Sequence, residues 1–258
     1  MDTPAVPARP RLVAFDLDDT LAPSKAPLPD PVRDALRDLL AVTEVCVISG
    51  GQIEQFRLQV VSRLGALPDP LAVRLHLMPT CGTQYWRVTS DGLTCVYAED
   101  LTDDEKQRAM RAVEEQAKGL GLWADRTWGP ALEDRGSQIT FSALGQQAPL
   151  DEKRAWDPSG EKKNRLRAAV QAQLPDLEVR SGGSTSVDIT RKGIDKAYGM
   201  RRLAELTGIP YAAMLFVGDR LDPEGNDYPV KALDIPTRAV GGWEETVGVI
   251  RGVVAAFR

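Results

Sequence analysis

Cysteine and histidine are scarce in this chain: three of the first and one of the second among 258 residues. Cys46, Cys81 and Cys95 are odd in number and lack the spacing of a metal–thiolate site. Cys46 and Cys81 lie in apolar runs and read as small buried hydrophobes, not redox groups. His76 sits in an apolar, strand-like run and reads as structural. Positive charge is not in excess either. The formal net charge is -5, so a nucleic-acid partner has no electrostatic support, and an anionic substrate needs a local cluster of cations. No apolar run approaches the roughly 18 residues needed to cross a bilayer. Met1 to Pro10 is proline-rich and has no apolar stretch of signal-peptide length. The expectation is a cytoplasmic protein without a membrane partner. Internal repeats are lacking, as is low-complexity sequence beyond the first ten residues.

What is present is ordinary for a soluble globular protein: 43% hydrophobic and 27% charged residues, in a length comfortable for two domains and large enough to need no staples. Order begins at Arg11-Leu-Val-Ala-Phe15, an apolar run ended abruptly by Asp16-Leu-Asp-Asp-Thr20. That is the pattern of a buried parallel strand delivering polar groups at its carboxyl end. A helix is predicted over about 32–40. A second buried strand, Glu44–Ile48, ends in Ser49-Gly50-Gly51, followed by a helix over about 52–64 and a third strand at Leu75–Met78. This β-α-β-α-β order predicts an α/β fold, a doubly wound parallel sheet with helices on both faces.

The pattern then changes. Residues 84–88 and 93–98 read as a hairpin around Ser90-Asp91-Gly92. A helix over about 102–120 opens with Thr102 and Glu105 in capping-box spacing. Short strands near Leu132 and Ile139, a helix over about 160–173, and strands near Val179 and Val187 follow. An α+β domain inserted at about 83–192 accounts for the change, leaving 1–82 and 193–258 as one core domain. The core resumes with a helix over about 195–207, a strand through Ala213-Met-Leu-Phe-Val-Gly218, a short strand near Ala239 and a helix over about 244–257.

Three strand ends carry polar groups: Asp16, Asp18 and Thr20; Ser49; and Asp219, Asn226 and Asp227. In an open parallel sheet, ligands bind outside the carboxyl ends of the strands, so these groups should converge. Converging aspartates repel one another unless a cation joins them, and Mg²⁺ prefers carboxylate, carbonyl and water oxygens. In Asp16-x-Asp18 one carboxylate can attack phosphorus while the other hands a proton to the leaving oxygen. Thr20 and Ser49 offer hydroxyls to phosphoryl oxygens. Lys196, at a helix start, is the best-placed cation; Lys192 is its rival, in a turn before that helix.

Phe15-Asp-Leu-Asp-Asp-Thr-Leu21, Ile48-Ser-Gly50, Lys196 and Val217-Gly-Asp-Arg-Leu-Asp-Pro-Glu-Gly-Asn-Asp227 resemble, in order, the four motifs of the haloacid dehalogenase superfamily. The long insertion resembles the large α/β cap of its Cof-like and phosphomannomutase-like branch. The resemblance implies a Rossmann-like core with an inserted cap, Asp16 as nucleophile and Asp18 as general acid and base. It implies Mg²⁺ held by Asp16, the Asp18 carbonyl and Asp219, with Asn226 and Asp227 nearby. Thr20, Ser49, Gly50 and Lys196 would hold the phosphoryl group. Arg135-Gly-Ser-Gln-Ile and Ser181-Gly-Gly-Ser-Thr-Ser-Val-Asp188 resemble stretches with which eukaryotic-type phosphomannomutases hold sugar phosphate. By that likeness Arg135 contacts a distal phosphate, Ser186 and Asp188 the sugar, and Lys25 stands where the nucleophile loop has an arginine. Gln146 and Lys153 fall where two further cap arginines are expected.

Each residue also has a plainer reading. The aspartates could cap helices, Ser49 could cap the next helix, and Lys196 or Arg135 could be solvated surface cations. Trp123, Trp128 and Trp156 read as packing in the inserted domain, and Glu161-Lys-Lys-Asn-Arg165 as a solvated helix face. Four motifs in sequence favour the enzyme over a non-catalytic binding module of the same fold. The expected activity is Mg²⁺-dependent hydrolysis of a small phosphomonoester, a sugar phosphate, through an aspartyl-phosphate; the alternative is a phosphomannomutase-like mutase. The expected partner is a small phosphorylated metabolite, and a homodimer is compatible with the sequence.

Overall fold

The computed structural model describes residues 5–90 and 92–258. Met1 to Pro4 of the proline-rich start and Asp91 of the expected Asp-Gly turn lie outside the described residues. The chain divides into two compact units, one running up to Ala98 and resuming over Ile194–Arg258, the other Glu99–Gly193. Strands β1 (Leu12–Phe15), β2 (Glu44–Ile48), β3 (Leu75–Met78), β4 (Gln84–Thr89) and β5 (Gly92–Ala98) precede the second unit. Strands β6 (Leu132–Asp134), β7 (Gln138–Ser142), β8 (Leu177–Ser181) and β9 (Ser186–Arg191) lie within it, and β10 (Met214–Gly218) and β11 (Thr237–Ala239) follow.

The first unit is built on one sheet in the order β11-β10-β1-β2-β3-β4-β5. Its first five strands are parallel, as the sequence predicts. Nearly continuous apolar runs form β1, β2 and β10 because both faces of these strands are covered. Val13, Phe15, Val45, Val47, Leu215 and Val217 enter one core cluster with Leu36, Leu39, Ile250 and Val254. Leu12, Ala14, Cys46, Ile48, Met214 and Phe216 enter another with Met200 and Leu203. The helix Asp30–Val42 illustrates the local logic. A proline fits its first turn, and Val32, Ala35, Leu36, Leu39 and Leu40 recur at helical spacing on its buried side.

The hairpin β4–β5 corrects the expected boundary at 83. Strand β4 pairs antiparallel with β3, setting Leu77 opposite Trp86, so the hairpin extends the first unit's sheet and the second unit starts at Glu99. Alternating residues specify a hairpin but not the sheet edge that receives it; here Trp86, Val88 and Leu93 pack onto the first cluster.

The second unit carries an antiparallel sheet in the order β6-β7-β9-β8. Ile139, Phe141, Val179, Val187 and Ile189 pack with Ala109, Val113, Leu166 and Val170 of the helices Asp103–Gly119 and Glu161–Gln173. The Thr102–Glu105 capping box is formed. A helix at Leu150–Trp156 has no buried residue, and so no apolar stripe by which sequence could announce it. Trp123 stacks on Phe141 with ring centroids 5.6 Å apart and Trp156 is partly buried, but Trp128 is exposed, contrary to its expected packing role. Among the described residues no helix is long and apolar enough to cross a membrane.

His76 is buried and bonded on both ring nitrogens, its Nε2 2.5 Å from Glu44 Oε2 and its Nδ1 2.9 Å from the Tyr85 hydroxyl and 3.1 Å from Arg87 Nη1. A neutral ring donating from Nε2 and accepting at Nδ1 satisfies this set. Burial pushes the His76 pKa down, against the opposing pull of the Glu44 bond, while Arg87 lowers it further. Below about pH 6.5 the unfolded chain binds a proton that the native ring refuses, so stability falls as pH drops through that value. Because His76 is the chain's one histidine, its imidazole proton resonance is uniquely assignable. The expected midpoint lies below that of free histidine, and a midpoint above it would reverse the sign.

Candidate active site

Asp16 follows β1 directly, and its amide continues the parallel ladder by donating to the Val217 carbonyl at 3.0 Å. The adjacent strands β1 and β10 thus release Asp16 and Asp219 side by side. The loop after β1 folds back on itself, with Leu21 and Ala22 amides donating to the Leu17 carbonyl. Asp19 takes a left-handed φ of 61°, a conformation Asp tolerates. A π-helical turn at Arg57–Val61 interrupts the predicted helix over 52–64. The Gln59 carbonyl accepts from the Leu28 amide, and its side chain donates to the Ala26 carbonyl, which braces the far end of the loop that follows Asp16.

Asp18 accepts from the Lys25 amide at 2.7 Å on Oδ1 and from Gln55 Nε2 at 2.9 Å on Oδ2. Lys25 therefore contributes its backbone here, while its side chain is exposed. Thr20, expected from sequence at the phosphoryl group, bonds Asp219: its hydroxyl donates to Asp219 Oδ1 at 3.1 Å and accepts from the Asp219 amide at 3.0 Å. Thr246 in turn donates to the Thr20 carbonyl at 2.7 Å. Ser49 is buried and accepts from the Gly51 amide at 3.1 Å, which leaves its hydroxyl hydrogen for another acceptor. Gly50 lies between them, half-buried.

The turn Thr80-Cys81-Gly82 supports this loop. Its three residues have φ of 48°, 56° and 85°, and for Thr and Cys such a backbone costs about 1–3 kcal/mol each. The Thr80 and Cys81 amides donate to the Gly51 and Ser49 carbonyls, both at 2.9 Å. Cys81 is thus a half-buried turn residue, not the core hydrophobe expected; Cys46 is buried as foreseen.

Lys196 opens the helix Lys196–Thr207, which Asp195 caps by accepting from the Tyr198 amide at 2.8 Å. That helix sits hard against the sheet: a Cβ on Gly199 would fall 2.4 Å from Ile48 Cδ1 and 2.6 Å from the Cys81 carbonyl oxygen. The Lys196 side chain is fully buried, its Nζ 2.5 Å from Asp16 Oδ1 and 2.5 Å from Asp227 Oδ1. Lys192 is exposed. Asp227, also fully buried, accepts from the Arg220 amide on Oδ2, and that oxygen would lie 2.3 Å from a Cβ on Gly218. Only glycine lets β10 pass so close.

The electrostatics call for a further cation. Asp16, Asp219 and Asp227 each offer a carboxylate oxygen, all within 4.8 Å of one another. Burial pushes the Asp16 carboxyl well above its usual range; Lys196 pulls it back, and Asp227 and Asp219 push it up again. Asp219 is raised by burial and then by Asp227. Burial opposes the charge on Lys196, but Asp16 and Asp227 outweigh it and the ammonium is held protonated. Three carboxylates and one ammonium leave two negative charges, which one hard divalent ion with oxygen ligands would neutralise. The Asp18 carboxylate, held by Lys25 and Gln55, is engaged elsewhere, and Asn226 is exposed.

A family profile described as eukaryotic phosphomannomutase matches residues 97–253, more than half of the chain. The chain belongs to that family. Through it the chain is a member of the haloacid dehalogenase superfamily, whose Rossmann-like core the first unit shows. The phosphomannomutase of Saccharomyces cerevisiae is 24% identical over 225 residues, covering 85% of this chain and 84% of that one. The Encephalitozoon cuniculi phosphomannomutase is 23% identical over 242 residues, covering 90% and 89%. In fold, the chain is similar to Plasmodium falciparum IMP-nucleotidase, at TM-score 0.73 and 15% identity, covering 96% of this chain and 69% of that one. It is also similar to a haloacid dehalogenase-like hydrolase from Bacteroides thetaiotaomicron, at TM-score 0.63 and 14% identity over 94% and 99% of the two chains.

The second-unit residues singled out in the sequence meet local partners. Arg135 pairs with Glu133 at 2.8 Å, both side chains largely buried. Gln146 donates to Ser142 Oγ at 2.8 Å, and Lys153 Nζ to the Gln146 carbonyl at 2.8 Å. Ser186 and Asp188 are half-buried neighbours along β9. Sequence reading missed Gln55, Thr246 and Glu133. Gln55 carried a signal, since it lies one turn into the helix after Ser49-Gly50-Gly51; Thr246 and Glu133 touch the site residues only through the fold.

Proposed function

We propose that this chain moves the phosphoryl group of a sugar phosphate through an aspartyl-phosphate on Asp16, in the manner of a phosphohexomutase. The observation that carries the chemistry is the buried Asp16–Lys196–Asp227 arrangement beside Asp219; membership of the phosphomannomutase family supports the mutase form. Asp16 attacks phosphorus, and the bond from phosphorus to the sugar oxygen breaks. Asp18, held by Lys25 and Gln55, gives that oxygen its proton. Lys196 favours the ionised form of Asp16 against its burial and aims the carboxylate. In the second half, Asp18 takes the proton of the incoming hydroxyl, which attacks phosphorus and frees Asp16. Mg²⁺ held by Asp16, Asp219 and Asp227 would neutralise charge on the phosphoryl oxygens. Arg135, Ser186 and Asp188 are proposed to hold the sugar phosphate.

Hydrolysis is the second reading, favoured by one observation. A mutase must hold a second phosphate while the sugar turns, and the second unit has Gln146 and Lys153 in place of guanidinium forks while Arg135 is already paired with Glu133. One experiment separates the two. Mannose 1-phosphate is followed by ³¹P NMR with Mg²⁺ and a catalytic amount of hexose 1,6-bisphosphate. The mutase gives mannose 6-phosphate with no loss of ester, the hydrolase gives inorganic phosphate, and persistence of the substrate alone refutes both. Exhaustive chelation is expected to stop turnover, and full activity in its presence would refute the metal requirement.

A further inference from the structure

The second unit's sheet has one apolar face and one polar face. Ile139, Phe141, Val187 and Ile189 enter the core beneath the helices. By strand alternation, Gln138, Thr140 and Ser142 on β7 and Ser186, Asp188 and Thr190 on β9 share the opposite face. Register sets them in rows: Gln138 opposite Thr190, Thr140 opposite Asp188, Ser142 opposite Ser186. Gln138, Thr140, Ser142 and Thr190 are nevertheless buried, so this is not a solvated face. Buried polar groups need partners.

Three of these groups form a directed chain. Gln138 Nε2 donates to Thr140 Oγ1 at 2.8 Å, and the Thr140 hydroxyl donates to Asp188 Oδ1 at 2.7 Å. The hydroxyl has one proton, so the amide behind it fixes the direction in which it points. Gly182, whose amide donates to the Ser186 carbonyl at 2.8 Å, closes the other side. A Cβ there would lie 2.6 Å from Asp188 Oδ2 and 2.7 Å from Ser186 Oγ. A free carboxylate could swing away from such an intruder, but Asp188 is tethered through Oδ1. Glycine therefore leaves a cradle between a carboxylate oxygen and a hydroxyl. In the same rows, the buried Thr190 Oγ1 has no hydrogen-bond partner among the described residues.

An acceptor oxygen beside a hydroxyl matches two neighbouring hydroxyls of a polyol, one donating to the carboxylate and the other exchanging a bond with the serine. We infer that Gln138 and Thr140 are positioning residues, which fix Asp188 so that Asp188 and Ser186, over Gly182, select phosphate esters bearing vicinal hydroxyls. This rests on the proposed sugar-phosphate function and deepens it.

The test compares kcat/KM for mannose 1-phosphate with that for p-nitrophenyl phosphate, which has no hydroxyl to read, in the wild type, Thr140→Val, Thr140→Ser and Gly182→Ala. The wild type should favour the sugar ester. Thr140→Val should lower the ratio about tenfold, the worth of one hydrogen bond to a charged group, chiefly through KM. Thr140→Ser should restore it, and Gly182→Ala should lower it as Thr140→Val does. If Thr140→Val does not fold, Gly182→Ala against Thr140→Ser decides. A wild type that favours the sugar ester with variants that keep its ratio overturns the relay alone. So do variants that lose equally on both esters, or a Thr140→Ser that fails to restore the ratio. A wild type with no preference for the sugar ester, or no turnover of either ester with Mg²⁺, overturns the proposed function and the relay together.

Discussion

Asp16→Asn should abolish turnover, by at least about 10⁴-fold in kcat, while the protein remains folded. The amide preserves the shape of the carboxyl at the end of β1 but cannot attack phosphorus. Folding should survive because the backbone bond from Asp16 to Val217 is untouched and the buried cluster loses one of its repelling charges. The prediction is checked by release of p-nitrophenol together with a denaturation curve. Residual turnover above contamination by wild type would refute the covalent route through Asp16. A collapsed fold would instead make the Asp16–Lys196 pair structural first.

Lys196→Met should lose both activity and stability. The methionine fills similar volume without the ammonium, leaving Asp16 and Asp227 facing each other across a space with no positive charge. Breaking a buried ion pair on one side costs about 3–5 kcal/mol, and loss of a preorganised group at the reacting centre costs about 10²–10³-fold in rate. Lys196→Arg should not restore the enzyme, because a planar fork needs more room than a fully buried ammonium leaves. Chemical denaturation and steady-state turnover are measured together. A variant as stable and active as the wild type would show that Lys196 merely accompanies the site.

The core site was largely legible in sequence because polar residues ended otherwise apolar strands. Asp16, Ser49 and Asp219 each break a run that is buried on both faces, and a parallel sheet gathers such breaks at one edge. What escaped was the second layer of bonds. That Thr20 supports Asp219, that Gln55 holds Asp18 and that Glu133 faces Arg135 depend on side-chain directions in loops and on strand alternation within a sheet whose order was unknown. The hairpin β4–β5 shows the same limit at the level of fold, since its alternation is equally suited to either unit. Cys81 shows it at the level of backbone: no local propensity announces two successive left-handed residues that are not glycine, and the bonds that hold them, to Ser49, Gly51 and Thr83, come from the fold.

The pairing of β1 with β10 also sets an order of events during synthesis. Leu12 lies beside Met214, roughly two hundred residues away along the chain, and the closure of so long a loop comes late. The second unit, by contrast, is one continuous stretch with its own sheet and its own apolar cluster, so it can condense while the ribosome is still making the rest. Until β10 emerges, β1 has an unpaired side in a strand of continuous apolar residues, the kind of edge that invites aggregation. Asp16, made near the start of the chain, therefore gains Lys196, Asp219 and Asp227 as neighbours only once nearly the whole chain has been made.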